Sequence, residues 1–452
     1  MSRDKNFADY FFDSKHSTSH GSSKFAGFWE QRKLLKKSNT GIFIADDLRL
    51  TPNASFSHLC YLAPTGAGKT TRYILNQALG KWNHNSSLIF FDPSSEIYNL
   101  SASWLRRKQK MKVIKIDLTN GQNSECFNPL LQITDKNSAR IMAQSLMNIV
   151  YADAKSDPFW VNSAIGLLTL IILAVINTIP AQERTLSLVN RLVNKFGHSQ
   201  DEINALMEVG LNDDDFEEFA SFLNNSDKVK KSIISTIKSS LYVYSDDVLK
   251  QVSRKNTFQL SDLRDNKTAL FLIQDEHKIP YFKSWWNLFF RLLFEELMTS
   301  SEGNDVYCFM DEFANFGKIE NFESIISTIR KKRVHLSLVL QSFEQLSNIY
   351  GQNIAKIIMD NCTSKVFLSG LSYESSKIVS AMLGQKTESF SAKGIYKRHQ
   401  NLERVSRLLL TPDEVRTMDE NECLFINTRY NPMKLACRPF YKNRRLIKRS
   451  KL

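Results

Sequence analysis

The segment Ala63-Pro64-Thr65-Gly66-Ala67-Gly68-Lys69-Thr70-Thr71 constrains this chain more than any other. It follows the apolar run Leu59–Ala63, which reads as a buried strand, and precedes the helix-forming stretch Tyr73–Leu79. Glycines between a strand and a helix let the backbone wrap around phosphate oxygens. The loop amides and the helix N-terminus then supply positive potential. In such a loop Lys69 reaches the β- and γ-phosphates of ATP and the Thr70 hydroxyl ligates Mg²⁺. Pro64, Thr65, Gly66, Ala67, Gly68 and Thr71 complete the predicted nucleotide cradle. The strict pattern has Gly where this chain has Ala63, so Gly66 and Gly68 are expected to carry the turn.

A phosphate loop needs a partner strand that ends in acid. Val306-Tyr307-Cys308-Phe309-Met310-Asp311-Glu312 is such a strand. Asp311 is predicted to hold Mg²⁺ through water, and Glu312 to polarise the attacking water as a general base. A third apolar run, Leu336–Leu340, ends in Gln341, placed to contact the γ-phosphate or its water. The basic cluster Arg330-Lys331-Lys332-Arg333 precedes it. Within it, Arg330 is the candidate arginine finger in trans, which requires an oligomer. A nucleic-acid contact or a solvated helix end is the competing reading.

Further short apolar runs at Leu88–Phe91, Val113–Ile116, Ala269–Ile273, Lys365–Leu368 and Cys423–Ile426 lack alternation. Strands of that kind sit in the middle of a sheet covered by helices on both faces. Between residues 138 and 256 no strand pattern occurs. Six helical patterns do: Ala139–Tyr151, Phe159–Ile176, Leu186–Lys195, Ser199–Gly210, Asp214–Asn224 and Asp227–Tyr244. The predicted fold is α/β: a P-loop core with a central, mostly parallel sheet, interrupted by an all-α insertion that separates the phosphate loop from its acidic partner. The boundaries are a mobile basic arm over 1–40, a first nucleotide-binding part over 41–137 and a helical region over 138–256. A second nucleotide-binding part over 257–437 and a basic tail over 438–452 follow.

Net charge is +13, but unevenly spread. Residues 1–40 carry +4, residues 438–452 carry +7 with no acid, and the interior only +2. A polyanion partner is therefore expected at the ends, and deletion of a flexible Arg438–Leu452 tail is expected to spare the core. Arg106, Arg107, Lys108, Lys110 and Lys112 after Trp104, and Arg398 and Arg404 near Tyr396, are further candidate DNA contacts. Trp285-Trp286 and Phe289-Phe290 fit core packing better than base stacking. His16 and His20 have too few companions for a metal site. Six scattered cysteines without Cys-x-x-Cys spacing fit reduced thiols in a cytosolic compartment. The opening residues carry no secretory signal pattern, and the apolar run Ala164–Ile176 is too short to span a bilayer, so it is expected to be a buried core helix.

Asp311-Glu312-Phe313-Ala314-Asn315-Phe316-Gly317-Lys318-Ile319 closely resembles the extended acidic motif of type IV coupling proteins, the TraG/TraD-type ATPases of conjugative DNA transfer and type IV secretion. Ala63–Thr70, Phe127-Asn128-Pro129-Leu130, Asp157-Pro158-Phe159-Trp160, Arg330-Lys331, Gln341-Ser342, Gln345-Leu346 and Tyr350-Gly351 fall in that family's order. The resemblance covers 59–427 and implies a RecA-like core carrying an all-α domain and assembling as a homo-hexamer. It also implies an ATP- and Mg²⁺-dependent motor that passes single-stranded DNA with its bound relaxase, or an effector protein, to membrane secretion-channel proteins. DNA, single- or double-stranded, would be bound without sequence specificity. The site of action would be the cytoplasm, peripheral to the cytoplasmic face of the bacterial inner membrane. Two departures stand out. Asp92-Pro93-Ser94-Ser95-Glu96 lacks the family's Lys and Gly, and the transmembrane helices with which many members begin are not visible, which implies a soluble member or a separate anchor. An ATP-switched docking platform and a general hexameric DNA translocase are the alternatives.

Overall fold

The computed structural model describes residues 21–38, 41–45, 47–151, 158–391 and 402–452. Nine strands form one sheet: β1 (Leu59–Leu62), β2 (Ser86–Asp92), β3 (Lys112–Asp117), β4 (Thr268–Ile273), β5 (Asp305–Met310), β6 (Val334–Leu340), β7 (Ser364–Leu368), β8 (Glu422–Asn427) and β9 (Tyr430–Ala436). Their order is β9-β8-β7-β1-β6-β5-β2-β4-β3. β7 through β3 in that order are parallel, and β8 and β9 add antiparallel at one edge. The eight apolar runs of the sequence are β1 to β8. β9 escaped notice because it is an edge strand, Tyr-Asn-Pro-Met-Lys-Leu-Ala, with a proline that only an edge tolerates.

The two-residue period of the strands sorts their side chains into two cores. Leu59 and Tyr61, Leu88 and Phe90, and Tyr307 and Phe309 face a layer made by the phosphate-loop helix, α1 (Glu96–Arg107) and a small three-stranded sheet of residues 35–50. Cys60 and Leu62, Ile89 and Phe91, and Cys308 and Met310 face the other layer, which is continuous with the core of the helical region. That region comprises α2 (Lys136–Tyr151), α3 (Pro158–Thr178), α4 (Leu186–Lys195), α5 (Gln200–Gly210), α6 (Asp213–Leu223) and α7 (Asp227–Leu241), all between β3 and β4. α3 is long and apolar enough to cross a membrane, yet 67% of its most apolar window is buried. The acidic residues Asp213, Asp214 and Asp215 lie in the first turn of α6, behind the Asn212 cap, and Lys136 bonds Asp215. Trp285, Trp286, Phe289 and Phe290, on α8 (Ile279–Thr299), are buried core residues. All six cysteines are buried and none forms a disulfide.

The two ends differ from the sequence expectation. Within the supposed mobile arm, Phe28–Leu34 is helical and Leu35–Lys37 pairs with Leu48–Leu50. The supposed tail is folded: Phe440 and Leu446 are buried, and α9 (Arg444–Ser450) packs on α1. Arg449 lies 4.5 Å over the Trp104 ring and donates to the Leu79 carbonyl at 2.7 Å. Removal of 438–452 would therefore expose core, contrary to the sequence expectation. Elsewhere, the Gln77 side chain accepts from the Phe43 amide at 3.1 Å and donates to the Phe43 carbonyl at 2.7 Å. A helix side chain thus stands in as a strand neighbour of the small sheet.

Two histidines are sealed under the sheet. His58 accepts from the Leu336 amide at 3.1 Å through Nδ1, so Nε2 carries the proton donated to the Ile326 carbonyl at 2.9 Å. His335 Nδ1 meets the Ser55 carbonyl, so its Nε2 accepts from Ser337 Oγ at 2.7 Å. Burial holds the pKa of His58 down at about 4 and that of His335 well below the usual histidine range. Both are neutral above pH 6.5 whether folded or not. Between pH 6.5 and 4 only the unfolded chain protonates, so folding stability falls as the pH drops. For His58 alone the loss at pH 4 is on the order of 3 kcal/mol. Urea titrations of the wild type and of His58→Gln across that range should show a shallower pH slope for the variant; an identical slope would remove His58 from the account.

Candidate nucleotide site

β1 delivers Ala63 to the C-terminal edge of the sheet, where the loop 64–69 turns into a helix, Thr70–Ile74 with π geometry and then Leu75–Ala78. The Ala63 amide still bonds the Leu340 carbonyl at 3.1 Å, extending the β1–β6 ladder. Ala63 therefore needs no glycine. The turn is made by Gly66 and Gly68, with φ of +79° and +78°. A side chain at Gly68 would run into Thr71 Oγ1 at 2.8 Å, whereas the space beside Gly66 is open. Arg72 braces the loop from behind, donating through Nε to the Ala67 carbonyl at 3.1 Å and through Nη1 to the Cys437 carbonyl at 2.6 Å. No sequence signal distinguished this arginine, because its partner lies 365 residues away.

The sheet brings the predicted residues together. β5 ends beside β1's neighbour β6, so Asp311 and Glu312 face the loop. Thr70 Oγ1 donates to Asp311 Oδ2 at 2.8 Å. Lys69 Nζ pairs with Glu312 Oε1 at 2.9 Å, both side chains largely buried. Gln341 Nε2 donates to Glu312 Oε2 at 2.9 Å, and Gln341 Oε1 accepts from Thr65 Oγ1 at 3.0 Å. Loop, acid and glutamine thus form one closed network. Glu312 itself is in the left-handed region at φ +50°, a strained conformation for glutamate of the kind found at functional sites.

Burial pushes the Asp311 carboxyl up to about 7, with the neighbouring Glu312 and Asp92 charges adding to the rise. Burial likewise raises Asp92 to about 6, although it accepts from the Ile97 and Tyr98 amides at 3.2 and 2.7 Å. Asp92 thus caps α1 and needs no lysine in its loop. A buried carboxylate, a threonine hydroxyl and a second carboxylate nearby are a hard-oxygen donor set suited to Mg²⁺. The loop glycines and Lys69 suit the phosphates of a nucleotide.

Arg330 is not part of this cluster. It is exposed in the turn Ile329–Lys332 before β6, at the opposite sheet edge from Gln341. Seven strand residues separate the two, about 23 Å. Its neighbours Arg333 and Lys332 are engaged, Arg333 by Asp305 at 2.5 and 2.8 Å and Lys332 by the Thr299 carbonyl at 3.4 Å. Lys112 is paired to Asp262 at 2.8 Å, while Arg106, Lys108 and Lys110 are exposed. His16, His20, Asp157, Tyr396 and Arg398 lie outside the described residues.

Two further motif residues, Tyr350 and Asn128, tie elements of the fold together. Tyr350 Oη accepts from the Ile319 amide at 3.1 Å and its ring stacks on Phe313, tying the acidic motif to the helix after Gln341. Asn128 accepts from the Leu130 amide at 3.0 Å, donates to the Arg184 carbonyl at 2.6 Å and takes the Asn256 side chain on its own amide. It fixes both entry and exit of the helical region.

Residues 18–451 match the family model described as Type IV secretory system Conjugative DNA transfer. Protein VirD4 of Rhizobium radiobacter is 24% identical over 408 residues, 87% of this chain and 58% of the relative. Conjugal transfer protein TraG of Escherichia coli is 24% identical over 400 residues, 79% of this chain and 61% of the relative. The chain spans about three fifths of the length of the curated relatives it matches. Among solved structures, the bacterial conjugative coupling protein TrwBdeltaN70 superposes with a TM-score of 0.69 at 18% identity, covering 92% of each chain. The plasmid coupling protein TrwB in complex with ADP and Mg²⁺ gives 0.67 at 17% identity over 92% of this chain and 93% of that one. The fold is therefore the RecA-like α/β core with an inserted helical region.

Proposed function

Since this chain belongs to the type IV secretory system conjugative DNA transfer family, we propose that it is an ATP-hydrolysing coupling protein that drives single-stranded DNA with a bound relaxase, or an effector protein, toward a secretion channel. The observation that carries this reading is the closed network joining Thr65, Lys69, Glu312 and Gln341 beside the Thr70–Asp311 pair. Asp311 and Thr70 would hold Mg²⁺, which when bound offsets charge on the β- and γ-phosphates. Lys69 is committed to Glu312, so its engagement with phosphate oxygens releases the Glu312 carboxylate. The freed carboxylate, still held by Gln341, is then in position to take a proton from water.

Arg330 cannot reach the site of its own chain. It can act as an arginine finger only for a neighbouring subunit, which fits activity as a homo-hexamer. DNA binding is proposed without base reading, and the protein is placed at the cytoplasmic face of the inner membrane beside channel proteins. The relevant test is ATPase activity with and without single-stranded DNA at low salt. DNA should stimulate turnover, and Lys69→Ala should abolish both basal and stimulated rates. An ATPase indifferent to DNA would favour the docking platform over the motor.

A further inference from the structure

The sequence places much of its excess charge at the two ends, and among the described residues the fold brings Lys37 of the first beside Arg445 and Arg449 of the second. A cavity of about 290 Å³ lies between the small N-terminal sheet, the far end of the phosphate-loop helix and α9. Five cations line it: Lys37 and Arg49 from the first sheet, Lys81 after the helix, and Arg445 and Arg449 from the C-terminal helix. Asp47 is the acid among its lining residues. The helix separates it from the phosphate loop by about 13 Å.

Part of this charge has a structural role. Arg449 satisfies the Leu79 carbonyl at the helix C-terminus, and Arg49 Nη1 donates to the Gly41 carbonyl at 2.7 Å. Arg49 also lies 5.4 Å over the Trp82 ring, and it is only 6% exposed yet makes no ion pair among the described residues. Burial and the Arg449 charge together lower its pKa to about 10. Lys37, Lys81 and the Arg445 guanidinium have no partner among the described residues. Arg49 and Arg449 repel each other with Asp47 as the acid beside them, and an entering anion would relieve that repulsion.

We infer that this recess is a second anion site, built for a terminal phosphate group and formed by the first sheet, the segment after the phosphate-loop helix and the C-terminal helix. Charge and donor number favour a terminal phosphate over a strand of nucleic acid. A phosphodiester within a strand offers two free oxygens and a single negative charge. A phosphomonoester offers three free oxygens and about −1.5 to −2 charges, which matches several cations converging on one recess, and Arg49 and Arg445 add guanidinium donors. Such a group can arrive as free phosphate or as the headgroup of phosphatidic acid.

The nucleotide site also binds phosphate, so the test uses Lys69→Ala as its background. Inorganic phosphate, titrated against chloride at constant ionic strength, should raise the melting temperature of that protein. Adding the exposed reversals Lys81→Glu and Arg445→Glu should weaken apparent phosphate affinity at least about tenfold. In the Lys69-containing chain the same reversals should leave the stabilisation by ATP intact, which shows that the fold survives. Flotation with phosphatidylcholine vesicles, with and without phosphatidic acid, separates the sources. Phosphatidic-acid-dependent binding lost on reversal assigns the headgroup, and its absence beside a phosphate effect assigns the free anion. A phosphate response that is missing, or equal with and without the reversals, overturns the site. So does a loss of single-stranded DNA binding on reversal with no phosphate response, which would make the recess a nucleic-acid contact.

Discussion

Glu312→Gln will bind nucleotide at least as tightly as the wild type but hydrolyse ATP on the order of a thousandfold more slowly, because the base is gone and the shape is kept. The amide oxygen can still accept from Gln341, so the loop geometry survives. What disappears with the charge is the ion pair to Lys69, now 2.9 Å long. Lys69 then meets incoming phosphate without first leaving a carboxylate, and this is why affinity should not fall. Phosphate release and the binding of a fluorescent nucleotide measure the two halves separately. Turnover within a few-fold of wild type would dismiss Glu312 as the base.

The second large effect lies far from that chemistry. Gly210 ends α5 against the last turns of α3, at Ala174. A Cβ built there would stand 2.7 Å from the Ala174 Cα and 2.8 Å from its carbonyl oxygen. These are backbone atoms and cannot rotate aside, so the two helices must part. Gly210→Leu should cost about 3 kcal/mol or more, and Gly210→Ala less, because both gain helix propensity over glycine but leucine adds three carbons beyond the clashing Cβ. Denaturant unfolding reads both, and an unmoved midpoint for Gly210→Leu would mean that the helices do not approach as closely as described.

The site was more legible in the sequence than the surfaces around it. Phosphate loop, acidic strand and terminal glutamine each announce themselves locally, since a glycine turn after a buried strand, or an acid after five mostly apolar residues, seldom serves packing or solubility. Parallel strands buried on both faces are continuous apolar runs, so β1 to β8 could be read one at a time. Their order could not, because it depends on pairing between runs as far apart as Leu62 and Leu340. For the same reason nothing local singles out Arg72 as a support of the loop: its partner is set by the fold. The basic ends were misjudged for a different cause. Lys and Arg suggest solvent, yet their apolar stems and guanidinium planes pack well on rings, as Arg449 does on Trp104. Charge alone hid the folded α9.

The two hydrogen bonds between Gln77 and Phe43 make the small N-terminal sheet and the phosphate-loop helix a single mechanical piece. The helix begins at Thr70, beside the phosphates, and Gln77 lies two turns later. No loop lies between that first turn and the sheet, so the two ends of the helix carry the phosphate cradle and the small sheet on one rigid rod. The first sheet is thus joined to the phosphate loop by one unbroken helix, with no joint between them.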